Sequence, residues 1–202
     1  MSDHQIQAVL FDMGGVVVQL DSLENVLGSS KFGAEAVWNK WILSDAVQAF
    51  ERGQCSVEDF AATILDELAL DGTAAEFIER FRQFPQGLYP GAVEMVASVP
   101  PSITTGVLSN TSALHWDHQI DAEIVRSLCP RAYLSFELGL AKPERDIFDY
   151  ALADLGVPAD SVLFIDDNQI NVDGAQAAGL QAGLAKGPDA ATEVLRRFGV
   201  VP

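Results

Sequence analysis

Polar side chains that could carry out chemistry stand at the ends of apolar runs in this chain. Three such runs end directly in polar residues: Asp12 after 9–11, Ser109 and Asn110 after 107–108, and Asp166 and Asp167 after 162–165. An apolar run that stops at a polar residue is typical of a buried parallel strand, which delivers that residue to the carboxyl edge of the sheet. Ligands bind at this edge in open α/β sheets. The sequence therefore predicts one site to which all three runs contribute.

Asp12 is followed by the glycine pair Gly14 and Gly15. A carboxylate at the end of a strand could attack phosphorus once a cation partly neutralises its charge. The same residue could instead cap a turn, which is a common role of Asp after a strand. Because the glycines permit a close backbone approach, the Gly14 carbonyl is a candidate metal ligand.

The adjacent pair Asp166 and Asp167 is the strongest local signal for a metal. Two neighbouring carboxylates that lose hydration repel each other, so a cation is expected to compensate them, and oxygen-rich sites suit Mg²⁺. Asn168 and Asn171 are expected to hydrogen-bond the loop and orient the acids. The alternative is a pair of Asp residues that only cap a turn.

Ser109, Asn110 and Lys142 are candidates for holding a phosphate group. A hydroxyl followed by backbone N–H groups before a helix can form a phosphate cradle, although the same residues would also serve as an ordinary helix cap. Lys142 lies in the apolar stretch 139–143, where its charge could neutralise an incoming phosphate. A solvated lysine is the alternative.

The elements that must position these residues alternate between strand and helix. Strands are predicted at 6–11, 103–108, 132–135, 161–165 and 180–184. Helices are predicted from about residue 90, between 108 and 128, at 144–155, at 169–178 and at the end of the chain. Such alternation predicts an α/β fold, with a Rossmann-like parallel sheet and helices on both faces.

Residues 21–88 have a different character, because their apolar positions recur at helical spacing and convincing strands are absent. Ser56 and Thr73 each stand three positions before an acidic residue, which predicts two helix N-termini. We therefore predict an inserted small helical bundle at 19–88, between two parts of a catalytic core at 1–18 and 89–202. Its inward-facing residues are predicted to be Trp38, Trp41, Phe50, Phe60, Ile64, Leu68, Phe77 and Phe81.

The composition limits the classes of partner. The chain has 202 residues, 49% of them hydrophobic, and a formal net charge of −17. This charge argues against nucleic acid and anionic membranes as partners, because both require cationic patches, but it leaves small phosphorylated molecules open. Cys55 and Cys129 are the only cysteines, and no apolar run is long enough to span a membrane. A cytoplasmic protein, monomeric or a small homo-oligomer, is expected.

In their order along the chain, the four segments around Asp12, Ser109, Lys142 and Asp166 resemble the signature motifs of the haloacid dehalogenase-like hydrolase superfamily. The resemblance covers essentially the whole chain and points to the subclass that carries a helical cap after the first motif. Four stretches look like a bacterial sugar-phosphatase branch that includes α-glucose-1-phosphatase: 50–56, 109–115, 138–144 and 164–171.

This resemblance implies a phosphatase of small phosphorylated metabolites, such as glucose 1-phosphate, that works through an aspartyl-phosphate on Asp12. The phosphate would be held by Ser109, Asn110 and Lys142. Mg²⁺ would be bound by the Asp12 carboxylate, the Gly14 carbonyl and Asp167, with Asp166 assisting through water.

Gly14 departs from the family pattern. Most phosphatases of the superfamily have a second Asp at this position, where it acts as general acid and then base, a contribution typically worth about a hundredfold to ten-thousandfold in rate. A leaving group that needs little protonation would suit such a site. Otherwise His115, Asp166 or a cap residue would have to supply the proton. Trp41, Glu51 and Arg52 are candidates for contacts to the sugar or the cap hinge.

Two other functions remain open from the sequence. A metal-independent 2-haloacid dehalogenase would use the same fold and an Asp nucleophile, but the adjacent Asp pair would repel a haloacid carboxylate and no clear arginine follows the first motif. A non-catalytic phospho-ligand-binding relative is the other alternative, and Gly14 is the feature that supports it.

Overall fold

The computed structural model describes residues 5–28, 30–117 and 122–202. The side chain of Trp38, which the sequence places inside the helical bundle, lies outside this description. So does part of the helical stretch predicted to run through residue 128.

Strands and helices alternate along most of the chain. The strands are β1 (Ala8–Phe11), β2 (Val18–Leu20), β3 (Pro85–Leu88), β4 (Thr104–Ser109), β5 (Arg131–Leu134), β6 (Val162–Asp166) and β7 (Gln181–Leu184). The helices before β4 are α1 (Leu23–Leu27), α2 (Ala34–Leu43), α3 (Asp45–Glu51), α4 (Val57–Glu67), α5 (Ala74–Arg82) and α6 (Ala92–Ala97). Those after it are α7 (Ala113–Trp116), α8 (Ala122–Leu128), α9 (Ser135–Leu138), α10 (Arg145–Leu155), α11 (Gln169–Ala177) and α12 (Gly187–Arg197), with a 3₁₀ turn at Ala159–Ser161.

The main sheet is parallel and has the strand order β5-β4-β1-β6-β7. β1 lies at its centre, where Phe11 pairs with Val107 of β4 on one side and with Ile165 of β6 on the other. The three strands therefore end at nearly the same level. This arrangement confirms the predicted α/β fold with a Rossmann-like sheet.

Side-chain alternation along the strands builds a core on each face of the sheet. Val9 and Phe11 point into a cluster that includes Met95 of α6 and Leu195 of α12. Ala8 and Leu10 point into the opposite cluster, which is completed by residues of α10 and α11 such as Phe148 and Val172. Since helices cover both faces of the sheet, the central strands β1 and β6 read as continuous apolar runs.

Helices α1–α5 pack around an apolar cluster of their own, and we call these five helices the helical insert. Its centre is aromatic: Phe50 stacks on Phe60 with ring centroids 4.2 Å apart, and Phe77 and Phe81 pack beside them. The predicted helix starts are present, because the Ser56 hydroxyl accepts the Asp59 N–H and Thr73 forms a capping box with Glu76. The insert therefore has an apolar core of its own, separate from the two cores on the faces of the main sheet.

A short antiparallel ribbon was not predicted. β2 and β3 pair through Val18 with Leu88 and through Leu20 with Pro85, so the prediction that residues 21–88 lack strands was wrong at its carboxyl end. β2 runs across the expected boundary at 18/19, whereas β3 ends at the expected boundary at 88/89. The ribbon brings together the two points at which the chain enters and leaves the helical insert.

Within the described residues, none of the helices combines the length and the apolar character that crossing a membrane requires.

Candidate active site

The predicted site residues meet at the carboxyl edge of the main sheet. Asp12 follows β1, Ser109 ends β4 and Asp166 ends β6. Because β1 lies between β4 and β6, the three side chains are brought together from distant parts of the sequence. The loop between α9 and α10 adds Lys142 to the same place.

Lys142 forms the charged centre of the site. Its Nζ lies 2.8 Å from Oδ1 of Asp12 and 2.7 Å from Oδ2 of Asp166, and its side chain is almost fully buried. Burial alone would lower the pKa of Lys142, but the charges of Asp12 and Asp166 raise it above its ordinary value. The lysine is therefore a fixed positive charge next to a candidate nucleophile.

Asp12 is buried, and burial raises its pKa to about 7, with Lys142 opposing this shift and Asp166 adding to it. Its Oδ1 also accepts the N–H of Met13 at 2.7 Å. These contacts fix the orientation of the carboxylate. A further cation beside it would favour the charged, nucleophilic form.

Asp166 is fully buried and positions its neighbours. Besides Lys142, it accepts hydrogen bonds from the Nδ2 of Asn171, 3.1 Å from both carboxylate oxygens, and from the N–H of Asn168 at 2.8 Å. The two asparagines thus contact the acid that they were expected to orient. Asn168 also caps α11 through its side chain, which accepts the N–H of Ile170.

The carboxylates of Asp12, Asp166 and Asp167 each offer an oxygen atom, and these atoms lie within 4.8 Å of one another. Burial raises the pKa of Asp167, and the charge of Asp166 raises it further. A compact group of hard oxygen donors that repel one another fits a Mg²⁺ ion, whereas it lacks the thiolate and imidazole donors that softer metals prefer.

Gly15 makes room for Asp167. It adopts a φ of +79°, and a Cβ atom built on it would lie 2.1 Å from Oδ2 of Asp167. Any larger residue would displace this carboxylate. The close backbone approach predicted for the glycine pair is therefore present at Gly15, where the loop after β1 lies against the loop after β6.

Replacing Gly15 with alanine is expected to weaken Mg²⁺ binding about tenfold or more, as changes that misorient a metal ligand typically do. Titration calorimetry with MgCl₂ measures the effect. Gly156→Ala is the matched control, because Gly156 has a φ of +67° and a Cβ there would meet no atom within 4 Å. It carries the left-handed strain, roughly 1–2 kcal/mol, without the clash. Equal Mg²⁺ affinities in the two variants would contradict the assignment.

Residues 109–111 line a pocket, and within this segment Asn110 also bonds the backbone of Lys142. Asn110 accepts the N–H of Lys142 at 2.9 Å and donates from Nδ2 to the Lys142 carbonyl at 3.0 Å. The Ser109 hydroxyl is buried, and its contact to the Asn110 carbonyl is 3.5 Å long. Such a long contact leaves the hydroxyl free to turn towards a ligand.

A pocket opens between this edge of the sheet and the helical insert. Its lining from the core includes Met13, Gly14, Ser109 and Ser112. The helical insert supplies Trp41, Phe50, Glu51 and Phe81, and Phe84 comes from the link between α5 and β3. The buried Ser112 hydroxyl has no hydrogen-bond partner. A buried hydroxyl without a partner is uncommon, and one that lines a pocket suits a polar ligand.

His115 also lines the pocket, but its chemistry is restricted. Its Nε2 lies 2.8 Å from the carbonyl of Phe81 and its ring packs on the Phe81 ring. Burial lowers the pKa of His115 to about 4, against the effect of this hydrogen bond. The neutral imidazole is therefore engaged in holding α5 of the insert, which speaks against a role as proton donor.

Glu51, a candidate for contacts to the sugar or the cap hinge, reaches from the helical insert to Asn110 of the core. Its Oε2 lies 3.3 Å from Nδ2 of Asn110. Arg52 forms an ion pair with Glu144 at 2.6 Å, and Trp41 lies in the aromatic cluster, where its ring and that of Phe60 form a T-shaped pair with centroids 6.0 Å apart. Gly53, two residues after Glu51, adopts a φ of +67° that lets the chain approach the Phe136 carbonyl. This glycine is the feature of the sequence that could have indicated a close approach of Glu51 to the core.

Comparison with known proteins adds three findings. Residues 6–179 match the family model of haloacid dehalogenase-like hydrolases. The chain is 26% identical to D-ribitol-5-phosphate phosphatase of Bacteroides thetaiotaomicron, over 83% of this chain and 85% of that protein, and 28% identical to a phosphatase of Mycobacterium tuberculosis, over 89% and 87%. A crystal structure of a haloacid dehalogenase family enzyme from B. thetaiotaomicron, in complex with magnesium and inorganic phosphate, superimposes with a TM-score of 0.72 at 24% identity, covering 90% of this chain and 94% of that one.

Proposed function

The chain belongs to the haloacid dehalogenase-like hydrolases, and we propose that it is a Mg²⁺-dependent phosphatase of small phosphorylated metabolites. The match over most of the chain confirms the resemblance to this superfamily. The observation that carries the proposal is the placement of Lys142 between Asp12 and Asp166, with Asp167 beside them. A carboxylate nucleophile, a fixed positive charge and an oxygen-rich cation site are the parts that phosphoryl transfer requires.

Asp12 is the proposed nucleophile. One of its carboxylate oxygens forms a bond to phosphorus while the bond to the leaving oxygen breaks, which gives an aspartyl-phosphate and an alcohol. Water then attacks this phosphorus, and the bond to Asp12 breaks to release inorganic phosphate. Two displacements of this kind divide a difficult hydrolysis into easier steps.

Ser109, Asn110 and Lys142 are proposed to hold the phosphate. The loosely bonded Ser109 hydroxyl and the buried ammonium of Lys142 can both donate to phosphate oxygens. Asn110 keeps these two segments together through its paired hydrogen bonds with the Lys142 backbone. Lysine is a common phosphate ligand because it presents a compact positive charge.

Mg²⁺ is the proposed cofactor. Asp12, the Gly14 carbonyl and Asp167 would hold it, with Asp166 acting through water. When bound, the ion neutralises part of the charge on the phosphate and on Asp12. The oxygen donors of the site fit this ion, and the related enzyme from B. thetaiotaomicron was crystallised with magnesium and phosphate.

We further propose that the helical insert acts as a cap, with 19–88 as the cap and 1–18 with 89–202 as the catalytic core. The insert has its own apolar cluster and supplies one side of the pocket. The ion pair between Arg52 and Glu144 and the hydrogen bond between His115 and Phe81 hold it against the core. A cap in this place would exclude water during the reaction.

The substrate class that fits best is a sugar or polyol phosphate, glucose 1-phosphate among them. The unpartnered hydroxyl of Ser112 and the carboxyl group of Glu51 line the pocket, where they can bond substrate hydroxyls. One relative is named a D-ribitol-5-phosphate phosphatase, which also supports this class.

The test is phosphate release from a panel of esters that includes glucose 1-phosphate, ribitol 5-phosphate and acetyl phosphate. We expect release in the presence of Mg²⁺ and its loss in EDTA, because chelation removes the metal ion that the carboxylates would hold. Chloride release from 2-chloropropionate in EDTA would instead indicate a dehalogenase. If the folded protein binds these esters without turnover, it is a phospho-ligand-binding relative.

A further inference from the structure

Gly14 leaves the loop after Asp12 without an acid, yet an alkoxide leaving group needs a proton. Among the described residues that line the pocket, the titratable side chains are those of Glu51 and His115. His115 is neutral and engaged with the Phe81 carbonyl. Glu51 is therefore the side chain in this pocket that can exchange a proton near neutral pH.

Glu51 is hydrogen-bonded to the core through both its side chain and its backbone. Its carboxylate accepts a hydrogen bond from Nδ2 of Asn110 at 3.3 Å, and its backbone carbonyl accepts one from the Ser135 hydroxyl at 2.6 Å. The same Ser135 oxygen accepts the N–H of Thr111 at 2.9 Å. Although Glu51 belongs to the helical insert, its carboxyl group is thus held beside residues 109–111 of the core.

The neighbouring contacts keep this arrangement in place. The guanidinium of Arg52 is engaged with Glu144 at 2.6 Å, so it does not form a close pair with Glu51. The left-handed turn at Gly53 lets the insert approach the Phe136 carbonyl, where a Cβ would lie at 2.5 Å. α3 therefore ends against the core at the point where Glu51 enters the pocket.

The electrostatic setting suits proton exchange. Burial raises the pKa of Glu51 to about 7, while the hydrogen bond from Asn110 and the charges of Lys142 and Arg52 oppose this shift. A carboxyl group in this range is present in both forms near neutral pH. This is the condition under which one group can give a proton and later accept one.

We propose that Glu51 acts as the general acid and then the general base of this site. The proposal rests on the phosphatase activity proposed above. In the first step, Asp12 bonds to phosphorus, the bond to the leaving oxygen breaks, and the Glu51 carboxyl gives its proton to that oxygen. In the second, the Glu51 carboxylate takes a proton from the attacking water as the bond between phosphorus and Asp12 breaks. Glu51 ends protonated, and the products are an alcohol and inorganic phosphate.

Glu51→Gln tests the proposal, because glutamine keeps the hydrogen bond to Asn110 but cannot exchange the proton. The probes are p-nitrophenyl phosphate, whose phenolate leaves without a proton, and the sugar or polyol phosphate that the wild type hydrolyses fastest. In rapid mixing, we expect the variant to retain the p-nitrophenolate burst and to lose the alcohol burst by roughly 10²–10⁴-fold. Glu58→Gln, which changes an exposed residue of α4, is the matched control.

Gly14→Asp in the Glu51→Gln background provides the rescue. The backbone at Gly14 is not left-handed, and a Cβ there meets only the flexible Leu20 side chain, at 3.0 Å. We expect the new acid to restore alcohol release at least about tenfold. A purely structural role of Glu51 would not be rescued in this way.

The outcomes separate the two proposals. If the wild type releases no phosphate from any ester, the proposed function fails. If the wild type is active and Glu51→Gln keeps its alcohol burst, or loses both bursts equally, the role of Glu51 is overturned while the phosphatase remains.

Discussion

Replacing Asp12 with asparagine is expected to lower phosphate release by roughly 10³-fold or more, because loss of a nucleophile removes the covalent route altogether. The variant should still fold. Lys142 keeps its second partner, Asp166 Oδ2 at 2.7 Å, and the neutral amide replaces a carboxylate whose charge burial disfavours. Initial rates with Mg²⁺ measure the activity, and urea unfolding in EDTA measures the stability.

Asp149→Asn is the control for this substitution. Asp149 lies on α10 in an exposed ion pair with Arg145, and such pairs contribute little to stability. It should change neither rate nor unfolding. Wild-type turnover by the folded Asp12→Asn variant would show that another group attacks phosphorus.

Two of the strands that carry the site, β1 and β6, could be predicted because each is an uninterrupted apolar run closed by a polar residue. β4 begins with two threonines and a glycine, and shows this pattern only at 107–109. β1 and β6 are fully buried, so their sequences contain no polar residue until the sheet edge is reached. The predicted ends differ from the observed ones by no more than two residues. Parallel topology then brings these ends together without further information.

The ribbon could not be predicted from local pattern. β3 contains Pro85 and Gly87, residues that weaken strands, and β2 is only three residues long. Their pairing depends on the return of the chain from the helical insert, which is a tertiary event.

The two adjacent acids show what residue type alone leaves open. The sequence predicts a metal at Asp166 and Asp167, and the family resemblance implies that Asp166 assists through water. In the structure Asp166 is fully buried and bonded to Lys142 and Asn171. Asp167 is only half-buried and lies against Gly15. Successive side chains at the end of a strand point in opposite directions, so the strand's register determines which acid faces the lysine. The position of Glu51 likewise depends on how α3 packs against α9.

Replacing Lys142 with methionine is expected to remove activity and much of the stability. The apolar side chain leaves Asp12 and Asp166 buried without their shared positive charge, and breaking a buried ion pair in this way typically costs about 3–5 kcal/mol. Phosphate release should fall by roughly 10²–10³-fold, since a fixed donor to the reacting phosphate is lost. Urea unfolding in EDTA and initial rates with Mg²⁺ measure the two effects.

A second substitution separates the two effects of Lys142. In the variant that combines Lys142→Met with Asp166→Asn, one of the unpaired charges is removed, so part of the stability should return while activity stays absent. Lys186→Met is the control, because Lys186 is exposed and acts on Asp167 only through its charge; its cost should stay below about 1 kcal/mol. If Lys142→Met unfolds like the wild type, the two carboxylates do not depend on the lysine. The ion pairs would then serve the reaction alone, and the fold would tolerate its buried acids by protonating them.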